Sequence, residues 1–177
     1  QQKKFREEFG FFLVEGEHPV RELLRAAERD ARLAGSMLFC TREHAGFTDR
    51  LPVQVVNPTQ MAQISETRTP QGIVAVVPLL SPPPPLPGER AIYLHGIQDP
   101  GNLGTILRTL AWFGGFRCLL GPDCVDVHNG KSVRASMGAI FHVPVEADVA
   151  LESLPARFPR MACLDLAGAP VDCAAFA

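Results

Sequence analysis

The chain has 177 residues, 46% hydrophobic and 20% charged, enough apolar material for one packed core or two small ones, which excludes a wholly disordered chain. Seventeen Lys and Arg against nineteen Asp and Glu leave a net charge of −2, so contact with nucleic acid would need a local patch rather than bulk charge. The longest apolar runs are too short for a transmembrane helix, and no basic-then-apolar leader opens the chain, so neither a membrane nor a secretory route is expected.

In chain order, Phe11 to Val14 is an apolar run closed by Gly16 and predicts a buried strand. From His18 to Leu33, the spacing of Val20, Leu23, Leu24, Ala27 and Ala31 gives one apolar helical face. Short strands follow at Met37–Cys40 and Val53–Val56. Asn57-Pro58 then offers an N-cap and a proline at the first helical position for a helix through Ile64. Ile73–Val77 closes this first α/β module as a β-branched strand. Ser81 to Gly88 holds five prolines in eight residues, which neither a helix nor a central strand accepts, so residues 79–89 read as a linker. The second module, 90–177, alternates again. Strands are predicted at 91–94, 116–120, 140–143 and 161–164, with helices at 102–113 and 147–154 and a short helix or turn near 131–137. Strands separated by helices predict a mostly parallel sheet with ligands beyond the strand C-termini.

Several motifs lead nowhere. Asn129-Gly-Lys-Ser132 resembles the end of a phosphate loop, but Val125 stands where the first glycine belongs. Gly96, Gly101 and Gly104 have the wrong spacing for a dinucleotide fold. The five histidines fit no metal-ligand spacing, and the five cysteines include no C-x-x-C pair, so no metal is expected and reduced thiols point to the cytoplasm. Asp123 and Asp126 read as turn residues around Pro122, and Trp112 and Phe113 as core. Lys3, Lys4 and Arg6 could grip phosphates, although Glu7 and Glu8 offset them.

The informative segment is His95 to Gly114. Its helix has a core face of Leu103, Ile106, Leu107 and Leu110. Gly101, Gly104, Thr105 and Arg108 share another face, small residues beneath one cation, with Asn102 placed to cap the helix start. These residues fit a merely capped, solvated helix or an anion site, and the pattern alone leaves both open.

Asp99-Pro-Gly-Asn-Leu-Gly-Thr-Ile-Leu-Arg-Thr-Leu-Ala-Trp-Phe-Gly114 resembles the first signature of the SpoU-type RNA 2′-O-ribose methyltransferases of the SPOUT superfamily. Lys131-Ser-Val-Arg-Ala-Ser-Met-Gly-Ala-Ile-Phe-His-Val-Pro144 is similar to a second family segment, with Ser136, Gly138, Ala139 and Pro144 in place. Lys4-x-Arg6, Gly10-x-Phe12-Leu-Val-Glu-Gly16 and Glu66-Thr-Arg-Thr-Pro-Gln-Gly-Ile-Val-Ala75 resemble the family's L30e-like substrate-binding domain.

The resemblance implies an α/β fold in which an L30e-like α/β/α domain over 1–78 precedes a mostly parallel-sheet, trefoil-knot methyltransferase domain over 90–177. It implies S-adenosylmethionine as cofactor, a structured RNA, ribosomal rather than transfer RNA, as substrate, and a homodimer formed through the methyltransferase domain. Arg108 would be the catalytic arginine and Asn102 its companion. Lys4, Arg6, Arg68, Lys131, Arg134 and Ser136 would meet RNA. The family's Gly-x-Glu strand end and Ser-Leu-Asn segment do not occur before Ala177, so the chain reads as the front of a longer enzyme whose cofactor pocket lies further on. A non-catalytic RNA-binding protein on the same scaffold is the alternative. A nucleotide-dependent enzyme of another class would need a phosphate loop the chain lacks.

Overall fold

The computed structural model describes residues 3–79, 81–164 and 167–168. Two sheets form, one on each side of the proline run. In the first, β1 (Phe11–Glu15), β2 (Met37–Cys40), β3 (Val53–Val55) and β4 (Ile73–Pro78) lie in the order β1-β4-β2-β3. The central β4 pairs antiparallel with both neighbours, Val14 facing Ala75 and Cys40 facing Ile73, while β2 and β3 run parallel. Alternation decides the layers. Phe12 and Val14 meet Val20 and Leu23 of α2 (Glu17–Ala27) on one face. Leu13 and Val74 meet Met61 of α3 (Pro58–Ile64) on the other. Covered on both faces, β4 is a continuous apolar run, as its β-branched sequence requires. The cap read at Asn57 is present: Gln60 N–H donates to its side chain at 2.9 Å, and Asn57 N–H donates to the Gln60 side chain at 3.0 Å, completing a capping box.

The second sheet is parallel throughout, in the order β5 (Arg90–Leu94), β6 (Phe116–Leu120) and β7 (Val145–Glu146). Leu103, Leu107 and Leu110 of α4 (Pro100–Phe113) cover one face with Cys118 and Leu120. Val149 and Leu154 cover the other beside Leu119. Two further helices are α5 (Gly130–Ser136) and α6 (Leu154–Arg157), and an opening helix α1 (Lys3–Phe9) precedes β1.

The boundaries depart from the sequence reading in four places. The long first helix stops at Ala27 and resumes as a 3₁₀ turn at Ala31–Gly35, because Asp30 caps that turn by accepting from Arg32 N–H. Residues 139–141 form a 3₁₀ turn instead of a strand, and the third strand sits later, at Val145–Glu146. Residues 151–153 are a 3₁₀ turn leading into α6, and 161–164 form no strand. Asp165 and Cys173 lie outside the described residues.

The two modules are not held apart by the proline run. Val133 of α5 is part of the first module's core. The Phe12 ring packs on His128, centroids 4.7 Å apart, and on Phe141 at 6.5 Å. Glu22 of α2 lies 3.2 Å from His142 Nε2, and a side chain at Gly138, where φ is +91°, would collide with Glu22. The linker itself is pinned from both sides: Arg32 donates to Ser81 C=O at 3.0 Å and Arg117 to Pro83 C=O at 2.9 Å. Arg117 is 1% exposed and also meets Glu89 at 2.7 Å and Glu146 at 3.0 Å, so this charge is buried with its counter-charges.

Candidate functional site

The site is built on α4, which follows the first parallel strand. Asp99 caps it, accepting the Asn102 N–H at 2.8 Å, and Pro100 takes the first helical position. The cap is therefore Asp99 and not Asn102, whose side chain is left exposed. Arg108 is exposed as well and has neither an ion pair nor a hydrogen bond among the described residues. Both polar groups stand outside the buried row of Leu103, Leu107 and Leu110. Thr105 and Thr109 turn their hydroxyls back to Gly101 C=O and Thr105 C=O, at 3.0 and 3.1 Å, which leaves Arg108 the one cation on this helix.

Gly104 has a different role from the one its sequence face suggested. A side chain there would meet the Ala135 carbonyl carbon at 2.6 Å and Ser136 N at 2.8 Å. The glycine lets α4 and α5 touch, so that part of the face is closed to a ligand. Ser136 is closed off by the same contact. It is fully buried, and its hydroxyl donates to Val133 C=O at 2.7 Å, which corrects its assignment to RNA.

Arg6 is also corrected. It is 5% exposed and pairs with Asp126 at 2.5 Å across the seam between modules, so its charge is spent inside the protein. Asp126 is thereby more than a turn residue. Burial alone would raise its carboxyl, but the Arg6 guanidinium and the His128 backbone N–H hold it below the ordinary carboxylate range. Burial, reinforced by Arg6, pushes the His128 imidazole down, against the pull of Asp126. Trp112 and Phe113, read as core, are 88% and 70% exposed.

Of the remaining RNA candidates, Lys4, Arg68 and Lys131 are exposed, and Arg134 is half-buried. Arg134 lies 3.6 Å from Glu15, a buried carboxylate that also accepts from the Ser65 and Thr67 hydroxyls and from Glu66 N–H. Glu15 stands in the Gly10–Gly16 segment, but that segment alone gives it no role, because its partners Ser65, Thr67 and Arg134 lie far along the chain.

Burial pushes the Cys118 thiol up to about 12, which removes it as a nucleophile. The four described cysteines are free, and no cluster of metal-ligating side chains occurs among the described residues. No described helix is long and apolar enough to cross a membrane.

A sheet of parallel strands whose first crossover helix presents an unspent arginine, fused to a second α/β layer, defines an α/β protein with its site on the helix after the first strand. Residues 89–170 match the SpoU rRNA Methylase family, and residues 1–75 match the MRM3-like substrate binding domain. The match is thus domain by domain: the second module, with α4 and Arg108 inside the matched residues, resembles the SpoU rRNA methylases, and the first resembles the MRM3-like substrate binding domain.

Over 146 residues the chain is 34% identical to the 23S rRNA (guanosine(2553)-2′-O)-methyltransferase RlmP of Bacillus subtilis, covering 81% of this chain and 56% of that protein. Among solved structures, it resembles an RNA methyltransferase of the TrmH family from Porphyromonas gingivalis, with a TM-score of 0.75 and 33% identity over 89% of this chain and 62% of that one. It also resembles an AdoMet-bound rRNA methyltransferase from Sinorhizobium meliloti, with a TM-score of 0.67 and 26% identity over 88% and 61%. The chain spans about half the length of the curated relatives it matches.

S-adenosylmethionine needs a slot for adenine and polar groups for its sulfonium and amino-acid ends. The cavity at the C-terminal ends of the second sheet has about 290 Å³, and Leu120, Gly121, Val125 and Ala147 form its apolar wall. That volume is at the bottom of the roughly 300–1,000 Å³ usual for small ligands. Its polar wall includes the Arg6–Asp126 pair, whose charges already satisfy each other. This cavity does not by itself fit the cofactor.

Proposed function

We propose that this chain is part of an S-adenosylmethionine-dependent methyltransferase that acts on a ribose 2′-hydroxyl of structured RNA, ribosomal RNA in particular. The observation that carries the reading is Arg108, an exposed guanidinium without an internal partner on the family's signature helix, with Asn102 exposed on the same helix. Arginine is too basic to accept the hydroxyl proton. Its planar fork suits a phosphate oxygen pair, and its charge lowers the cost of an alkoxide forming at the 2′-oxygen. Asn102 can hydrogen-bond the ribose with either end of its amide.

The first module, L30e-like in this reading, would hold the RNA through Lys4 and Arg68, joined by Lys131 and Arg134 of α5 from the second module. A trefoil-knotted continuation that completes the cofactor pocket and a homodimer through the second module belong to the same proposal. The exposure of Trp112 and Phe113 supports the dimer. Four free thiols support a cytoplasmic location.

The test is methyl transfer from radiolabelled S-adenosylmethionine to ribosomal RNA by the full-length protein, followed by nucleoside analysis. A 2′-O-methylated nucleoside is expected. A base-methylated product would overturn the reaction assigned, and RNA binding without transfer would favour a non-catalytic RNA-binding role on this scaffold.

A further inference from the structure

Where the modules meet, on the side of α3 and α5, lies a cavity of about 500 Å³. Gln63, Ser65 and Glu66 line it from the first module, and Asn129, Lys131 and Arg134 from the second. Its volume is well inside the range of small-ligand sites, and its lining is mostly polar and charged. The wall is held in place from behind. The buried Glu15 carboxylate accepts from Thr67 Oγ1 at 2.5 Å, from Ser65 Oγ and from Glu66 N–H at 3.3 Å, which fixes the 65–67 loop. The same carboxylate lies 3.6 Å from Arg134 Nη1 and so ties the second module's cation to the first module's loop. Lys131 is exposed at the rim and has no acidic partner among the described residues.

The lining offers two cations, one carboxylate and two amides around one open recess. Cations fit phosphate oxygens, while a carboxylate and amides fit sugar hydroxyls and the donor edge of a base. A duplex offers its phosphates and shallow groove to a surface and cannot place one residue inside a cavity.

We infer that this seam cavity holds one unpaired nucleotide of the RNA, its phosphate on Lys131 and Arg134 and its sugar or base edge against Glu66 and Gln63. The inference rests on the RNA-methylation reading and adds to it that the substrate is gripped jointly by both modules at a single-stranded position.

Gly130 provides a test that changes no charge. A side chain there would occupy the position of the Glu66 carboxylate and displace it within the cavity wall, while φ at Gly130 is ordinary for any residue. Binding of a fluorescent single-stranded RNA of about twelve nucleotides, and of a blunt RNA duplex of equal length, is measured by anisotropy for the wild-type chain, Gly130→Ala and Lys131→Ala. The wild type is expected to prefer the single strand. Gly130→Ala should weaken that binding about tenfold while leaving duplex binding unchanged. Lys131→Ala should weaken it and reduce the salt slope by about 0.7, the value for one single-strand phosphate contact. Lys131 is exposed, so that variant reports even where Gly130→Ala fails to fold. If the wild type binds the single strand but both variants bind it equally well, the cavity assignment is overturned and the RNA reading stands. Equal or tighter duplex binding by the wild type overturns the unpaired nucleotide. A wild-type chain that binds neither RNA overturns the RNA reading as well.

Discussion

Arg108 and Arg6 illustrate what a residue's place in the sequence does and does not reveal. Both are arginines near apolar positions, yet one has its charge free at the surface and the other spends it on Asp126 inside the seam. Helical spacing was enough to put Arg108 off the core face, because position within a helix decides exposure locally. The fate of Arg6 depends on a partner 120 positions away, which no local pattern encodes. Ser136 was misplaced for the same reason: its burial comes from α4 packing onto α5, not from its own helix. For Arg108, the free guanidinium leads to a sharp expectation. On the proposed function, Arg108→Ala in the full-length protein should lower turnover strongly with little change in cofactor affinity, since a charge acting on a developing alkoxide would contribute mainly in the transition state. Arg108→Lys should restore little, because a point charge lacks the planar fork. Thermal melting should barely move, as the side chain has no internal partner to lose. Single-turnover methylation alongside melting curves checks all three parts, and a folded Arg108→Ala enzyme with full activity would reduce the residue to a solvated helix charge.

At the scale of elements, period and punctuation made most of the fold legible. The alternation in β1 that sends Phe12 and Val14 one way and Leu13 the other, the Asn57-Pro58 helix start and the core stripe of α4 all follow from local sequence. The segment after Ser136 did not, because Met137 and Gly138 both adopt left-handed backbone and turn an apolar stretch into a 3₁₀ corner. Gly104 tests the contact that defines this corner. Inside a helix, Gly→Ala usually gains roughly 0.5–1 kcal/mol from backbone entropy. Here the added carbon meets the backbone of α5 at 2.6 and 2.8 Å, where no flexible side-chain end can swing aside. Overpacking of that kind costs about 1–3 kcal/mol, so it exceeds the helix gain and the net change is destabilising. Gly104→Ala should therefore lower the denaturant midpoint, whereas an unchanged or raised midpoint would mean that α4 and α5 separate without cost.

For the whole molecule, the proline run lies between the last strand of one sheet and the first strand of the other, but it does not encode how the two modules meet. A stretch of prolines suggests a spacer, whereas Arg32 and Arg117 bind its carbonyls and the seam is packed with Phe12, His128, Val133 and Phe141. This packing makes module docking dependent on pH. His128 faces Phe12, with Asp126 and Arg6 as its charged neighbours, and burial with Arg6 holds its imidazole below the ordinary value of 6.5. A folded-state value below the unfolded one means that the unfolded chain binds the proton more readily. The contribution of His128 to stability is thus complete above about pH 6.5 and is lost as pH falls below it. Asp126 acts in the same direction at lower pH: its lowered carboxyl contributes above about pH 3.8 and loses its contribution as the carboxylate is protonated and the Arg6 pair breaks. Urea unfolding at about pH 7.5 and about pH 5.5 separates the imidazole from Asp126, which remains charged at both, and the His128 variant distinguishes it from the other four histidines. The wild-type midpoint should fall between the two, and His128→Gln should flatten the difference even if it lowers stability overall. A wild-type midpoint equally high at both values would show that His128 takes its proton without disturbing the seam, and that the modules meet through contacts indifferent to its charge.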